Sequence, residues 1–146
     1  MTNIEMLENT LPIAPLKLIA MESCKPLGQK VNDYIVSFRE NTINEVTESP
    51  LYRNYKANNY QVDCSCPRFG SGEAKGILKE TIRGTDLFIM TDVCNYSLTY
   101  TVNGHLNHMS PDDHYQDLKR LIAAVGGKAR RITVIMPFLY ESRQHK

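Results

Sequence analysis

Two runs of apolar and β-branched residues, Leu87–Val93 and Ile132–Met136, stand on either side of a helix whose start and stop are both written in the sequence. Ser110 is a good N-cap, Pro111 can occupy the first helical position without needing its N–H, and Asp112 and Asp113 complement the positive end of the helix dipole. Tyr115, Leu118, Leu121, Ile122 and Val125 then recur at helical spacing, and Gly126-Gly127 ends the pattern. Short apolar runs of this kind read as strands covered on both faces, and a helix between two such strands makes a parallel crossover, expected to be right-handed. The pattern predicts an α/β domain with three layers, a mainly parallel sheet of about four to five strands with flanking helices.

The remainder of the chain adds to that frame. Residues 1–15 form a lead-in interrupted by Pro12 and Pro15, and residues 16–146 form one domain. Leu16–Met21 reads as the first strand. From Pro26, the residues Leu27, Val31, Tyr34, Ile35 and Phe38 give one apolar stripe on a helix of about four turns. Residues 41–59 are polar and broken. Tyr60–Cys66 alternates weakly and reads as a second strand. Leu98, Tyr100 and Val102 alternate before Asn103-Gly104, the dipeptide most favoured in a two-residue hairpin turn, so a small hairpin through His108 is expected.

A chain of 146 residues is long enough to bury about 70% of its unfolded surface, so it needs no staples. Cys24, Cys64, Cys66 and Cys94 therefore read as reduced thiols rather than as a disulfide framework. Cys64-x-Cys66 and His105-x-x-His108 do not match the usual zinc spacings, and they read as incidental thiols and hairpin histidines. With 17 basic against 16 acidic residues, nothing points to a general nucleic-acid or membrane-surface binder, although Lys128, Arg130, Arg131, Arg143 and Lys146 make the end of the sequence basic. The absence of a membrane-length apolar run or of a signal-peptide pattern makes the cytoplasm the expected location.

Candidate sites follow from the expected topology. Ligands of open α/β sheets collect beyond the carboxyl ends of strands, which draws attention to Asp92 and to the polar, basic residues after Met136. Position is the only credential of Asp92, and an acid capping a loop is the favoured reading. Arg68-Phe69-Gly70-Ser71-Gly72-Glu73 is a glycine-containing bend that could serve as a simple turn or as a ligand loop.

The ordered set Arg68–Glu73, Glu80–Ile89, the long helix, and Arg131–Pro137 closing on Arg143-Gln144 resembles the N-terminal half of ribose-phosphate pyrophosphokinases, over about residues 16–146. The resemblance implies the phosphoribosyltransferase-like N-terminal fold of that family. It implies transfer of the diphosphoryl group of Mg-ATP to ribose 5-phosphate, giving phosphoribosyl pyrophosphate for nucleotide biosynthesis. Phe69 and Glu73 would line the adenine pocket, and Arg143 and Gln144 would contact ATP. Ser71 and His145 stand where the family carries aspartates, so both are candidate ATP contacts that depart from its pattern. Thr81 and Arg83 fall in the segment the family uses near a regulatory anion site. A homo-oligomer is implied, since family sites are completed by neighbouring subunits.

The acidic D-D…T-G-x-T loop that holds the ribose phosphate in that family has no counterpart in these residues. The expectation is that this chain supplies part of the ATP site and subunit contacts, is inactive alone, and meets ribose 5-phosphate only together with a second half. No catalytic or metal-binding residue is expected within it. The competing expectation is a non-catalytic, synthase-like regulatory or nucleotide-binding subunit.

Overall fold

The computed structural model describes residues 12–42 and 55–144, so residues 1–11 of the lead-in, much of the polar stretch and the candidate His145 lie outside the described residues. In chain order the elements are β1 (Leu16–Ala20), a short 3-10 helix (Glu22–Cys24), α1 (Lys25–Thr42), β2 (Cys64–Ser65), β3 (Ile77–Leu78), β4 (Asp86–Met90), β5 (Thr99–Val102), β6 (His105–His108), α2 (Pro111–Val125) and β7 (Arg131–Ile135). Strands β1, β4 and β7 form a parallel sheet in that order, and the helix predicted from Ser110 to Gly127 connects the second to the third.

Side chains of the central strand alternate between two packing environments, as a pleated strand requires. Leu87 and Ile89 join Ile19 and the α2 residues Leu118, Leu121 and Val125 in one buried cluster. Met90 joins Leu18 and Cys24 in another, with Phe88 and Val31 of α1 packed against it. This is a mixed α/β arrangement around a parallel sheet.

The approach of α1 to β1 is closer than the apolar pattern of that helix suggests. A Cβ on Gly28 would lie 2.2 Å from the Ala20 Cβ, so only glycine allows the two backbones to meet there. Asn32 is buried on the same face and accepts from the Tyr60 N–H at 2.9 Å. The buried face is thus centred on Gly28 and Asn32, while Tyr34, expected within the stripe, is 71% exposed and stacks on Phe38.

Two further expectations are corrected. Tyr60–Cys66 is not one strand of the main sheet: Gln61 makes a single parallel bridge to Leu18, and Cys64–Ser65 pairs antiparallel with Ile77–Leu78 in a separate ladder. Arg131–Ile135 is a strand, but at the sheet's edge rather than buried. Val134 and Ile135 are each 37% exposed, because the described residues place β4 on one side of β7 and no strand on the other. Its register is held by Arg131, which donates to both carboxylate oxygens of the directly opposed Asp86 at 2.8 and 2.6 Å.

The predicted hairpin is present as β5 and β6. Asn103 and Gly104 both have positive φ, 50° and 79°, the left-handed pair that a type I′ turn demands.

Candidate functional site

Helix α2 organises the candidate site, and its first turn is unusually well specified. Ser110 Oγ accepts from the Asp113 N–H at 3.2 Å while the Asp113 carboxylate accepts from the Ser110 N–H at 2.9 Å, a complete capping box with Pro111 just inside. Such a box stabilises a helix start by about 1 kcal/mol and fixes where its side chains emerge.

From that first turn and the next, Asp113 and Asp117 project on one side, four residues apart. Arg68 comes in against them. Its guanidinium donates to both oxygens of Asp117 at 2.8 and 3.0 Å and lies 4.0 Å from Asp113. The side chains of Arg68 and Asp117 are only 8% and 6% exposed, so this is a buried, bidentate ion pair, with Arg120 adding a contact to Asp117 at 2.7 Å. Tyr100 of β5 covers Arg68, its ring centre 4.8 Å from the guanidinium carbon.

Arg68 thereby pins the turn that carries Phe69, Ser71 and Glu73. Arg68 bridges Ala74, the Phe69 N–H donates to the Glu73 carbonyl at 2.7 Å, and the Gly72 N–H donates to the Phe69 carbonyl at 2.9 Å. Gly72 takes φ 88°, available to glycine at little cost. Phe69 is 52% exposed on this closed turn, and the Ser71 hydroxyl donates to the Glu73 carboxylate at 3.0 Å. Just beyond, Gly76 lets the chain lie directly on α2: a Cβ there would sit 2.5 Å from the Arg120 carbonyl oxygen.

The other expected residues, Arg143 and Gln144, lie in the segment after β7. This segment is tied to α2 through Tyr140, which stacks on Tyr115 with ring centres 4.2 Å apart and donates its hydroxyl to Asp112 at 2.5 Å. That hydrogen bond, with smaller contributions from burial and the Asp112 charge, pushes the Tyr140 phenol up to about 12. Arg143 sits over the Phe138 ring at 5.9 Å, and the Gln144 N–H donates to the Glu141 carbonyl at 3.1 Å. Each expected pair is therefore held within its own segment, and both segments are fastened to the first two turns of α2.

Asp92 is in the position of a loop acid. Its N–H donates to Ser23 Oγ at 3.0 Å and its carboxylate accepts from the Cys94 N–H at 2.9 Å, closing the turn after β4. Thr81 and Arg83 are exposed, and the Thr81 hydroxyl accepts from the Arg83 N–H at 3.5 Å. All four cysteines are free thiols. Burial pushes the Cys64 thiol up to about 11 and the Cys66 thiol up to about 12, which keeps both in the protonated, unreactive form. Among the described residues no group of three or more His, Cys, Asp or Glu is placed to hold a metal ion, and no helix is long and apolar enough to cross a membrane.

The residues that position this site are not those the motif reading singled out. Arg68 belongs to the motif but carries no expected role in it, and Asp117 is part of no motif. The available signal was spacing: His114, Asp117, Leu118, Leu121 and Val125 share one stripe, and all are buried. A buried acid on a helix requires a partner, and a buried histidine requires an acceptor; His114 Nε2 donates to the Asn95 carbonyl at 2.8 Å.

Comparison with known proteins bears on the chemistry. Residues 16–146 match the N-terminal domain of ribose phosphate pyrophosphokinase. Over 85 residues the chain is 35% identical to ribose-phosphate pyrophosphokinase 1 of Schizosaccharomyces pombe, a stretch that covers 58% of this chain and 17% of that relative.

Proposed function

Because the chain belongs to the ribose-phosphate pyrophosphokinase family, through the N-terminal domain of such enzymes, we propose that it supplies the ATP-binding half of a diphosphokinase site. The observation that carries this reading is the attachment of both expected nucleotide-contacting segments to one helix, through Arg68 to Asp117 and through Tyr140 to Asp112. Phe69 offers an exposed ring face to a purine, and Glu73 an acceptor for its exocyclic amine. Arg143 supplies a planar donor for phosphate oxygens, and Gln144 can donate or accept beside it.

In the parent enzyme, on this reading, the diphosphoryl group of Mg-ATP passes to the anomeric hydroxyl of ribose 5-phosphate. Magnesium enters with ATP as part of the substrate. The work of this domain is to hold and orient the nucleotide, since transfer of this kind depends on alignment and charge neutralisation more than on a protein nucleophile. Ribose 5-phosphate is bound by a second half of the parent, the assembly is a homo-oligomer, and the 146 residues alone turn over no substrate. The packing of α1 and α2 against the parallel sheet through separate buried clusters supports a three-layer arrangement within residues 16–146.

Calorimetry with Mg-ATP tests the reading. Saturable binding that is weakened by both Phe69→Ala and Arg143→Ala is expected. A folded chain that binds no ATP at millimolar concentration would remove the basis for it. Ser71 favours a second reading, a non-catalytic nucleotide-binding subunit, because its hydroxyl occupies one oxygen of Glu73 where the enzymes resemble one another in carrying an acid. Diphosphokinase activity in the full-length parent, or its absence despite ATP binding, separates the two.

A further inference from the structure

We propose that the β5–β6 hairpin is a clamp on the 68–73 turn, with Tyr100 as a positioning residue that holds Arg68, and through it Phe69 and Glu73, in place. In its consequence for nucleotide the inference rests on the function proposed above; the clamp itself stands on the geometry alone.

Arg68 is held from two elements, α2 and β5. Asp117 engages the edge of the guanidinium through two hydrogen bonds, which fixes it within its plane. The guanidinium carbon lies over the Tyr100 ring, 4.8 Å from its centre, so the ring packs against the group that Asp117 holds. Arg68, Asp117 and Tyr100 together line a cavity of about 180 Å³ that also reaches Cys66 and His114, so removal of the ring opens the ion pair to water on that side.

Two residues further along the same face of β5, Val102 reaches the tip of the turn. Its Cγ2 lies 3.8 Å from the position a Cβ on Gly72 would take. The hairpin therefore packs on the turn at its entry, Arg68, and stands beside its tip, Gly72.

A clamp must hold its own shape, and this hairpin is closed at both ends. The Asn103-Gly104 turn closes its far end, and the Met109 N–H donates to the Leu98 carbonyl at 2.8 Å at its base. His108 stacks on Tyr96 at 4.8 Å and donates from Nδ1 to the Tyr96 carbonyl at 2.9 Å. Two residues after β6 the chain enters the Ser110 cap of α2, the helix that holds Asp117. Hairpin, helix, ion pair and turn form a closed ring of contacts, so a loss at Tyr100 is transmitted to Phe69 and Glu73 rather than absorbed by a loose loop.

Amide hydrogen exchange on the full chain tests the clamp without any ligand. Tyr100→Ala should speed exchange at the Phe69 and Gly72 amides about tenfold or more while Ile89 in β4 is unchanged, and Tyr100→Phe, which keeps the ring, should restore the slow rates. Val102→Ala, which leaves Tyr100 in place, should affect Gly72 more than Phe69 and serves if Tyr100→Ala does not fold. Unchanged exchange at both amides in these variants would overturn the clamp.

Its consequence is read in a double-mutant cycle on Mg-ATP affinity. Tyr100→Ala should weaken binding about tenfold in the wild-type background, and no further once Phe69 and Glu73 are both alanine. An equal loss in the two backgrounds would show that Tyr100 does not act through the turn. If replacing Phe69 and Glu73 alone leaves ATP affinity intact, the nucleotide reading fails while the exchange result still decides the clamp.

Discussion

Phe69 and Glu73 sit in a turn held by a buried bidentate ion pair, by a backbone contact at Gly76 and by the covering hairpin, whereas Arg143 and Gln144 sit in a segment tied to α2 at the surface through the contacts of Tyr140 with Asp112 and Tyr115. The two regions hang from the same helix, yet their anchors differ in kind. Removing one partner of a buried ion pair strands the other charge away from water and costs about 3–5 kcal/mol, while contacts near the surface contribute far less because water replaces them. The turn is thus built before any ligand arrives.

The strongest way to break this contrast is Arg68→Ala. Asp117 would remain buried with only Arg120 beside it, and a loss of about 3 kcal/mol in chemical denaturation is expected. A loss below about 1 kcal/mol would mean that the turn is held no better than the tail. Gly76→Ala comes next. The added Cβ would press on the Arg120 carbonyl oxygen, and overpacking of this sort costs about 1–3 kcal/mol, with the turn loosened more than the central strand β4.

At the tail the effect is smaller and depends on pH. The Tyr140 phenol has an ordinary value of 10.0 and is pushed up to about 12, so the folded chain favours the protonated form. Its contact with Asp112 contributes fully below the ordinary value and is lost as pH rises through the raised one. Ultraviolet titration should show one late-ionising tyrosine that moves down in Asp112→Asn, while the unfolding midpoint of that variant at neutral pH hardly changes. A large loss of stability would erase the distinction between the two anchors. The mildest perturbation is chemical: at neutral pH a thiol reagent should modify exposed Cys94 first and leave Cys64 and Cys66, which flank the entry to the turn, untouched while the fold is intact.

The parts of this fold that could be read in the amino-acid sequence are those specified locally. Ser110-Pro111-Asp112-Asp113 and Gly126-Gly127 mark a helix by chemistry within one turn of each end, and Asn103-Gly104 marks a hairpin by the sign of φ. What was hidden depends on neighbours distant in sequence. Arg131–Ile135 has the composition of an interior strand, and nothing within it announces that it lies at the edge of the described sheet. The apolar stripe expected on α1 runs through Leu27, Val31, Tyr34, Ile35 and Phe38, whereas the surface that meets β1 includes Gly28, which has no side chain to count, and Asn32, a polar residue satisfied by Tyr60. The candidate site shows the same division. Phe69, Glu73, Arg143 and Gln144 come from a resemblance in motif, but Arg68 and Asp117, which hold the turn of the first two, lie 49 residues apart and become visible only when the chain is folded.

On the function proposed above, the two segments fastened to α2 both take part in binding nucleotide. A single titration of the isotope-labelled chain with Mg-ATP, followed through its amide resonances, tests it most directly. The account predicts that Phe69 and Gly72 in the turn and Arg143 and Gln144 in the tail all shift along one saturation curve with a common dissociation constant. Shifts confined to one segment, or two segments that saturate at different ATP concentrations, would contradict it.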